Sequence, residues 1–376
     1  MTRTRYVALG GFCGLAWAAA LRGWMAQLAA GASSVSWLTF LLVLLPGTAV
    51  GMLLGWAAHL RASGVRPPRR LIFAPVLFAS ALLDPVIFVG LIRDGTGGGA
   101  LIVVATALTT AFVVSHRGFS IARVASALVA LPGLVLLTFM GGMAGPVTSA
   151  RGAWVCLYGL SLILLLCLAS ALPYAAAARV PPVVVGGLCG LAWAGALRAF
   201  MAEIAGPASA VHWVNTFGFV LLPGVLAGAL LGWAWQLQRT GGRPRLWLLS
   251  LSPLLFAAVL FSNPLDIGSL LDDGIGGGAL GVPLIGILGG YAASGHGSAV
   301  RRGIAGAVFV AGLGVWAVTA SDVGGPDFAL TTQHGLWATL LYWSLLISMA
   351  LAVSVPLRTA VPGRTAPATV DRELAG

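Results

Sequence analysis

The sequence predicts an all-α integral membrane protein of about twelve transmembrane helices, built as two tandem, parallel six-helix repeats. Three observations predict it: long apolar blocks joined by short loops, almost no charge inside those blocks, and the recurrence of the first half of the chain in the second.

The blocks run to about 20–25 residues, the length a helix needs to cross roughly 30 Å of hydrocarbon. The chain has 376 residues, 59% apolar and 8% charged, with a mean hydropathy of +0.98. Soluble domains carry about a quarter charged residues, so a soluble fold cannot hide this much apolar surface. A β-barrel would alternate over short segments, and nothing here does.

In the first repeat the spans are read near 6–30, 36–60, 71–92, 98–115, 120–142 and 151–173. The first follows Arg3 and Arg5 as a signal peptide would. It contains Arg22, however, and it reappears from Pro182, so it is read as a retained helix. The second carries Pro46-Gly47, Gly51 and Gly55, a stripe of small residues on one helix face that admits a close neighbour. The Pro-Gly pair is also a hinge candidate, because proline removes a backbone hydrogen bond. The third holds Asp84-Pro85, and Gly95–Leu101 opens the fourth as a tight glycine turn. The second repeat places spans near 183–206, 212–237, 246–271, 277–294, 303–321 and 334–356, repeating the stripe as Pro223, Gly224, Gly228 and Gly232. The units are thus 1–178, 179–358 and a short cytoplasmic tail, 359–376, expected to be disordered.

The duplication rests on ordered blocks. Gly10–Trp37 and Gly186–Trp213 share 18 of 28 residues; LLPG, LLGWA, the glycine turn and Gly145-Pro146 recur in order; Arg151-Gly-Ala-Trp154 answers His334-Gly-Leu-Trp337. All 21 basic residues are arginine. Seventeen fall on one side of the predicted topology, so that side is cytoplasmic and both termini lie there, in a plasma (inner) membrane. An even number of spans per repeat relates the copies by a pseudo-two-fold axis along the membrane normal. The net charge of +11 therefore follows topology and does not indicate nucleic acid.

Ionisable residues inside spans are the functional candidates, because charge in hydrocarbon is costly. Arg22 and Arg198 are equivalent positions, roughly 22–24 Å up their helices. Asp84 is nearly level with Arg22; its counterpart is Asn263, with Asp266 one turn on, and Glu203 follows Arg198. The expectation is an Arg22–Asp84 pair, with Arg198 near Asn263 and Asp266 or Glu203, serving either as a solute and ion path or as a static brace. The prolines after Asp84 and Asn263 should break their helices, as in many transporter sites. The copies diverge most tellingly at Asp84/Asn263, Ile87/Asp266 and Gln27/Glu203. The five histidines and four cysteines lack metal-ligand spacing, no nucleophile motif is present, and no cofactor, metal or catalytic role is assigned.

The 6+6 plan resembles that of the major facilitator superfamily, as does a basic loop at Gly55–Arg66, and that resemblance implies a solute transporter. His59 occupies the aspartate position of that family's loop signature, and the central loop from Pro173 to Pro182 is short, so membership is not assigned. The expectation is a secondary transporter or permease of a small solute, proton-coupled through a buried carboxylate, with its path between the repeats. The alternative is a non-transporting membrane scaffold, assembly factor or complex subunit. Its surroundings are the lipid bilayer in either case.

Overall fold

The computed structural model describes residues 2–29, 33–94, 98–116, 119–174, 180–206, 209–241, 245–261 and 275–358. Asn263 and Asp266 lie outside the described residues, as does the tail.

Every regular element among the described residues is helical. The first half contains α1 (Arg3–Leu28), α2 (Trp37–Ala62), a 3₁₀ helix (Arg69–Leu83), α3 (Pro85–Asp94), α4 (Gly99–Ser115), α5 (Ile121–Ala144) and α6 (Ala150–Ser170). The second contains α7 (Pro182–Ala205), α8 (Trp213–Arg239), a second 3₁₀ helix (Leu246–Phe261), α9 (Ile275–Ser294), α10 (Ala299–Gly324) and α11 (Gln333–Leu357).

Eight of these, α1, α2, α5, α6, α7, α8, α10 and α11, are long and apolar enough to cross a membrane, which makes this a multi-pass helical membrane protein. The sequence predicts twelve spans; the predicted fourth and tenth correspond to shorter apolar α-helices, Gly99–Ser115 and Gly278–Ser294, and the rest of the shortfall has two physical sources. The predicted third span, 71–92, is not one helix. It turns through 93° at Asp84-Pro85, and the count becomes nine if the bent pair is one span. Pro85 has no N–H to continue the hydrogen-bond ladder, so a new helix starts there. Asp84 caps it, its Oδ1 accepting from Val86 N at 2.8 Å and its carbonyl from Phe88 N at 2.9 Å. The second source is winding. The segments Arg69–Leu83 and Leu246–Phe261 are short when counted in residues, but both are 3₁₀. At about 2.0 Å per residue, each extends roughly 30 Å, where an α-helix of the same length would reach roughly 23 Å.

The core lies where α1, α6, α7 and α11 meet. Trp24, Trp154, Tyr158, Phe200, Trp337 and Leu341 pack there around small residues of α1 and α7, such as Ala18 and Ala194. Each of these two helices is set in place by glycine contact with the next. A Cβ on Gly14 would lie 2.1 Å from the Gly47 carbonyl oxygen, and one on Gly51 2.1 Å from that of Gly10. On α7 and α8, a Cβ on Gly190 would lie 2.0 Å from Gly224 O, and one on Gly228 2.2 Å from Gly186 O. Gly55 and Gly232 meet the backbone of Tyr6 and Pro182 in the same way. Pro46 and Pro223 are buried just after π-wound turns, Phe40–Leu44 and Trp213–Leu221.

Candidate functional site

Two arginines are buried at this central meeting of helices, and each is held by the same kind of contact. Arg22 of α1 is 4% exposed. Its Nη2 donates to the carbonyl oxygen of Ser34 at 2.9 Å, and its guanidinium lies 5.6 Å from the ring centre of Trp337. Arg198 of α7 is 6% exposed. Its Nη2 donates to the Ala210 carbonyl at 2.7 Å, its Nη1 to Ser209 Oγ at 3.1 Å, and it lies 5.2 Å from Trp154. Ser34 and Ala210 are aligned positions, and so are the two tryptophans. The seating is crosswise: the arginine of each half sits against a ring from the other half.

One further pair of contacts recurs at aligned positions, each within its own half. Trp17 Nε1 donates to Leu162 O and Trp193 Nε1 to Leu345 O, both at 2.8 Å. Tyr158 Oη donates to Ala20 O at 2.6 Å and Trp337 Nε1 to Ala19 O at 3.3 Å, tying α6 and α11 to α1.

Insertion of an arginine at mid-membrane costs about 2.5–3.5 kcal/mol, which is an upper bound for Arg22 and Arg198, since both sit toward one end of their helices. A hydrogen bond from a charged donor contributes about 1.5–3 kcal/mol and a ring contact about 0.5–2 kcal/mol. The observed partners are therefore of the size needed to hold each guanidinium in place. They do not neutralise it. Among the described residues neither Arg22 nor Arg198 bonds a carboxylate, and Arg22 Nη1 is buried with no partner.

One turn and a half beyond Arg22, a polar cluster bridges the halves. Gln27 Nε2 donates to Glu203 Oε1 at 2.9 Å. These are aligned positions, and two aligned residues that touch each other mark where the halves face one another. Each also has a neighbour from the last long helix of its own half: Arg151 Nη2 lies 3.5 Å from Gln27 Oε1, and His334 Nε2 lies 3.5 Å from Glu203 Oε2. Arg151 and His334 are aligned positions too. The side chain of Glu203 is 18% exposed and that of His334 31%, so the cluster can be reached from one end of the helices. The cluster lies next to the N-termini of α6 and α11, whose dipoles add positive potential.

The structure does not bring Arg22 and Asp84 together. Asp84 caps α3 at the sharp turn, and Arg22 turns instead to Ser34 and Trp337. Glu203 meets Gln27 and His334, not Arg198. Arg151, His334, Trp154 and Trp337 escaped the sequence reading, although one signal was present. The sequence around Arg151 resembles that around His334 with the polar residue exchanged, as the sequences around Gln27 and Glu203 resemble each other. Among the described residues no group of three or more His, Cys, Asp or Glu could hold a metal.

No family model, curated protein or solved structure matches the chain.

Proposed function

We propose that this chain is a secondary transporter of a small anionic solute. In this reading it has twelve spans in two parallel six-helix repeats about a pseudo-two-fold axis along the membrane normal. The arginine-rich side and both termini are cytoplasmic. The recurrence of the Trp17/Trp193, Arg22/Arg198 and glycine contacts at aligned positions supports the repeat. The 30 Å reach of the 3₁₀ helices supports counting them as spans.

One observation carries the function: two guanidiniums more than nine-tenths buried, facing each other's half, with no carboxylate bonded to either among the described residues. A charge kept unneutralised inside a membrane protein marks a substrate or ion path. Here its sign selects an anion, with planar guanidinium donors suited to an oxyanion. In this reading the carboxylate of Glu203, 3.5 Å from His334 Nε2, is the coupling-group candidate. The path follows the line where α1, α6, α7 and α11 meet, and access alternates by rocking of one repeat against the other.

The test is flux. Purified protein in proteoliposomes should carry members of a panel of small carboxylates and inorganic phosphate. The Arg22→Gln/Arg198→Gln variant should lose at least tenfold, and the doubly Lys-substituted variant should regain part. A monodisperse double-Gln variant with wild-type flux for every anion carried would remove the arginines from the path.

A second reading, a non-transporting membrane component, is favoured by one observation. Only 17% of the apolar stretch of α10 and 22% of that of α5 is buried within the protein. Absence of flux for every panel member, with co-purification of a membrane partner lost on polar substitution of Val308 and Val315 on α10, would establish it.

A further inference from the structure

A crevice of about 290 Å³ opens between α7, α8, the second 3₁₀ helix and α11. Its floor is Gly190 and Gly228, and its walls include Trp193, Phe256, Ser348 and Met349. The wall is apolar throughout, because the one hydroxyl, Ser348 Oγ, is bonded back to its own helix at Leu345 O (2.9 Å).

The first half has the same framework with larger side chains at two of these positions. Val50 stands where the second half has Ala227, and Leu165 where it has Ser348. Val50 is 2% exposed and packs with Leu54, Phe78 and Leu166. The smaller side chains at Ala227 and Ser348 leave room on a framework that Val50 fills in the first half. It falls just below the range of about 300–1,000 Å³ typical of small-molecule pockets, which suits a single alkyl chain better than a bulky ligand.

One end of the crevice is strongly basic. It runs out at Gly232 and Val355, and Arg239 and Arg358 follow on the same two helices, both exposed. Gln238 pins these ends together, donating to the carbonyls of Val355 and Arg358. Arg245 immediately precedes the 3₁₀ helix that forms the third wall. The sequence has no carboxylate between Glu203 and Asp266, nor between Asp327 and Asp371, to offset these charges.

We propose that the crevice seats one acyl chain of an anionic phospholipid, whose phosphate is held by Arg239 and Arg358. An apolar slot ending in arginines matches an amphiphile with a negative head, and basic pockets between membrane helices bind such headgroups. The site is independent of the solute path and of which side of the membrane is cytoplasmic.

The experiment uses the full chain purified in a neutral detergent. Thermal unfolding is followed with added phosphatidylglycerol or with phosphatidylcholine of the same chains, and native mass spectrometry counts retained lipids. Phosphatidylglycerol should raise the midpoint by several degrees more than phosphatidylcholine. Ala227→Val/Ser348→Leu, which installs the first half's residues, should lose most of that increment. Arg239→Gln/Arg358→Gln removes both guanidiniums, together with the 3.0 Å bond from Arg358 Nη2 to Ser354 Oγ and the contact of Arg239 with Trp235, and should respond equally to both lipids. Equal responses of the wild type, or a full increment retained in either double variant, would overturn the proposal.

Discussion

Replacing Gly14 by alanine tests how α1 and α2 are held, and the structure supplies both the magnitude and the control. The added Cβ would stand 2.1 Å from the Gly47 carbonyl oxygen and 2.9 Å from Gly51 Cα, where ordinary contact begins near 3.4 Å. Both neighbours are backbone, so neither can rotate away, and the helices must part by roughly 1 Å. A gap of about 0.5–1 Å forfeits a quarter to a half of each dispersion contact along the face. Overpacking of this kind costs about 1–3 kcal/mol. Alanine also favours helix over glycine by up to about 1 kcal/mol, which would mask part of the effect. Gly23→Ala, on the same helix, removes that ambiguity. Its Cβ would find its nearest neighbours at 3.5–3.7 Å, so it gains the propensity without the clash. The difference between the two variants then isolates the clash, at about 1–3 kcal/mol. Thermal unfolding in detergent, read by fluorescence-detected size exclusion, measures it. If Gly14→Ala melts with Gly23→Ala, the helices are not in the backbone contact described.

Three further outcomes are expected. Trp17→Phe and Trp193→Phe each remove one 2.8 Å indole bond, so each should cost about 0.5–1.5 kcal/mol and the two should agree; a several-fold disparity in unfolding would argue that the contacts are not equivalent. Asp84→Ala removes the cap of α3 and should destabilise it by about 1 kcal/mol, seen as faster proteolysis confined to residues 85–94, while Asp84→Asn retains the cap. Trp337→Leu withdraws the ring beneath Arg22 and the bond to Ala19. It should reduce anion flux in the same assay as the arginine variants, and unchanged flux would separate the ring from the path.

The membrane class of the chain was legible because hydropathy and block length are properties of local sequence. The break at Asp84-Pro85 was legible for the same reason, since a proline after a capping residue acts on its own backbone. Winding was not: Pro75 and Pro253 lie in largely apolar runs, and no periodicity separates 3₁₀ from α there. The Arg22 partner was misread because height along a helix was taken for proximity. Counting residues along straight helices puts Asp84 level with Arg22, but the chain turns through 93° at Asp84, which caps another helix, while Trp337, more than 300 positions away in sequence, comes within 5.6 Å. Such cross-half contacts leave no trace in either half alone. The exchanged pairs Gln27/Glu203 and Arg151/His334 did leave one, because two positions that change together between aligned copies are candidates for contact.

The crosswise seating of the arginines bears on what a half of this chain could do by itself. Residues 1–178 hold Arg22 and Trp154 but not the ring that Arg22 needs, and residues 179–358 hold Arg198 and Trp337 but not the ring that Arg198 needs. A half expressed alone would insert a guanidinium with no ring beneath it. It could complete the seat only by borrowing from a second polypeptide, either the missing half or another copy of itself. In that sense the covalent link does the work of a subunit interface, and a single-copy protein with this architecture would be an obligate dimer.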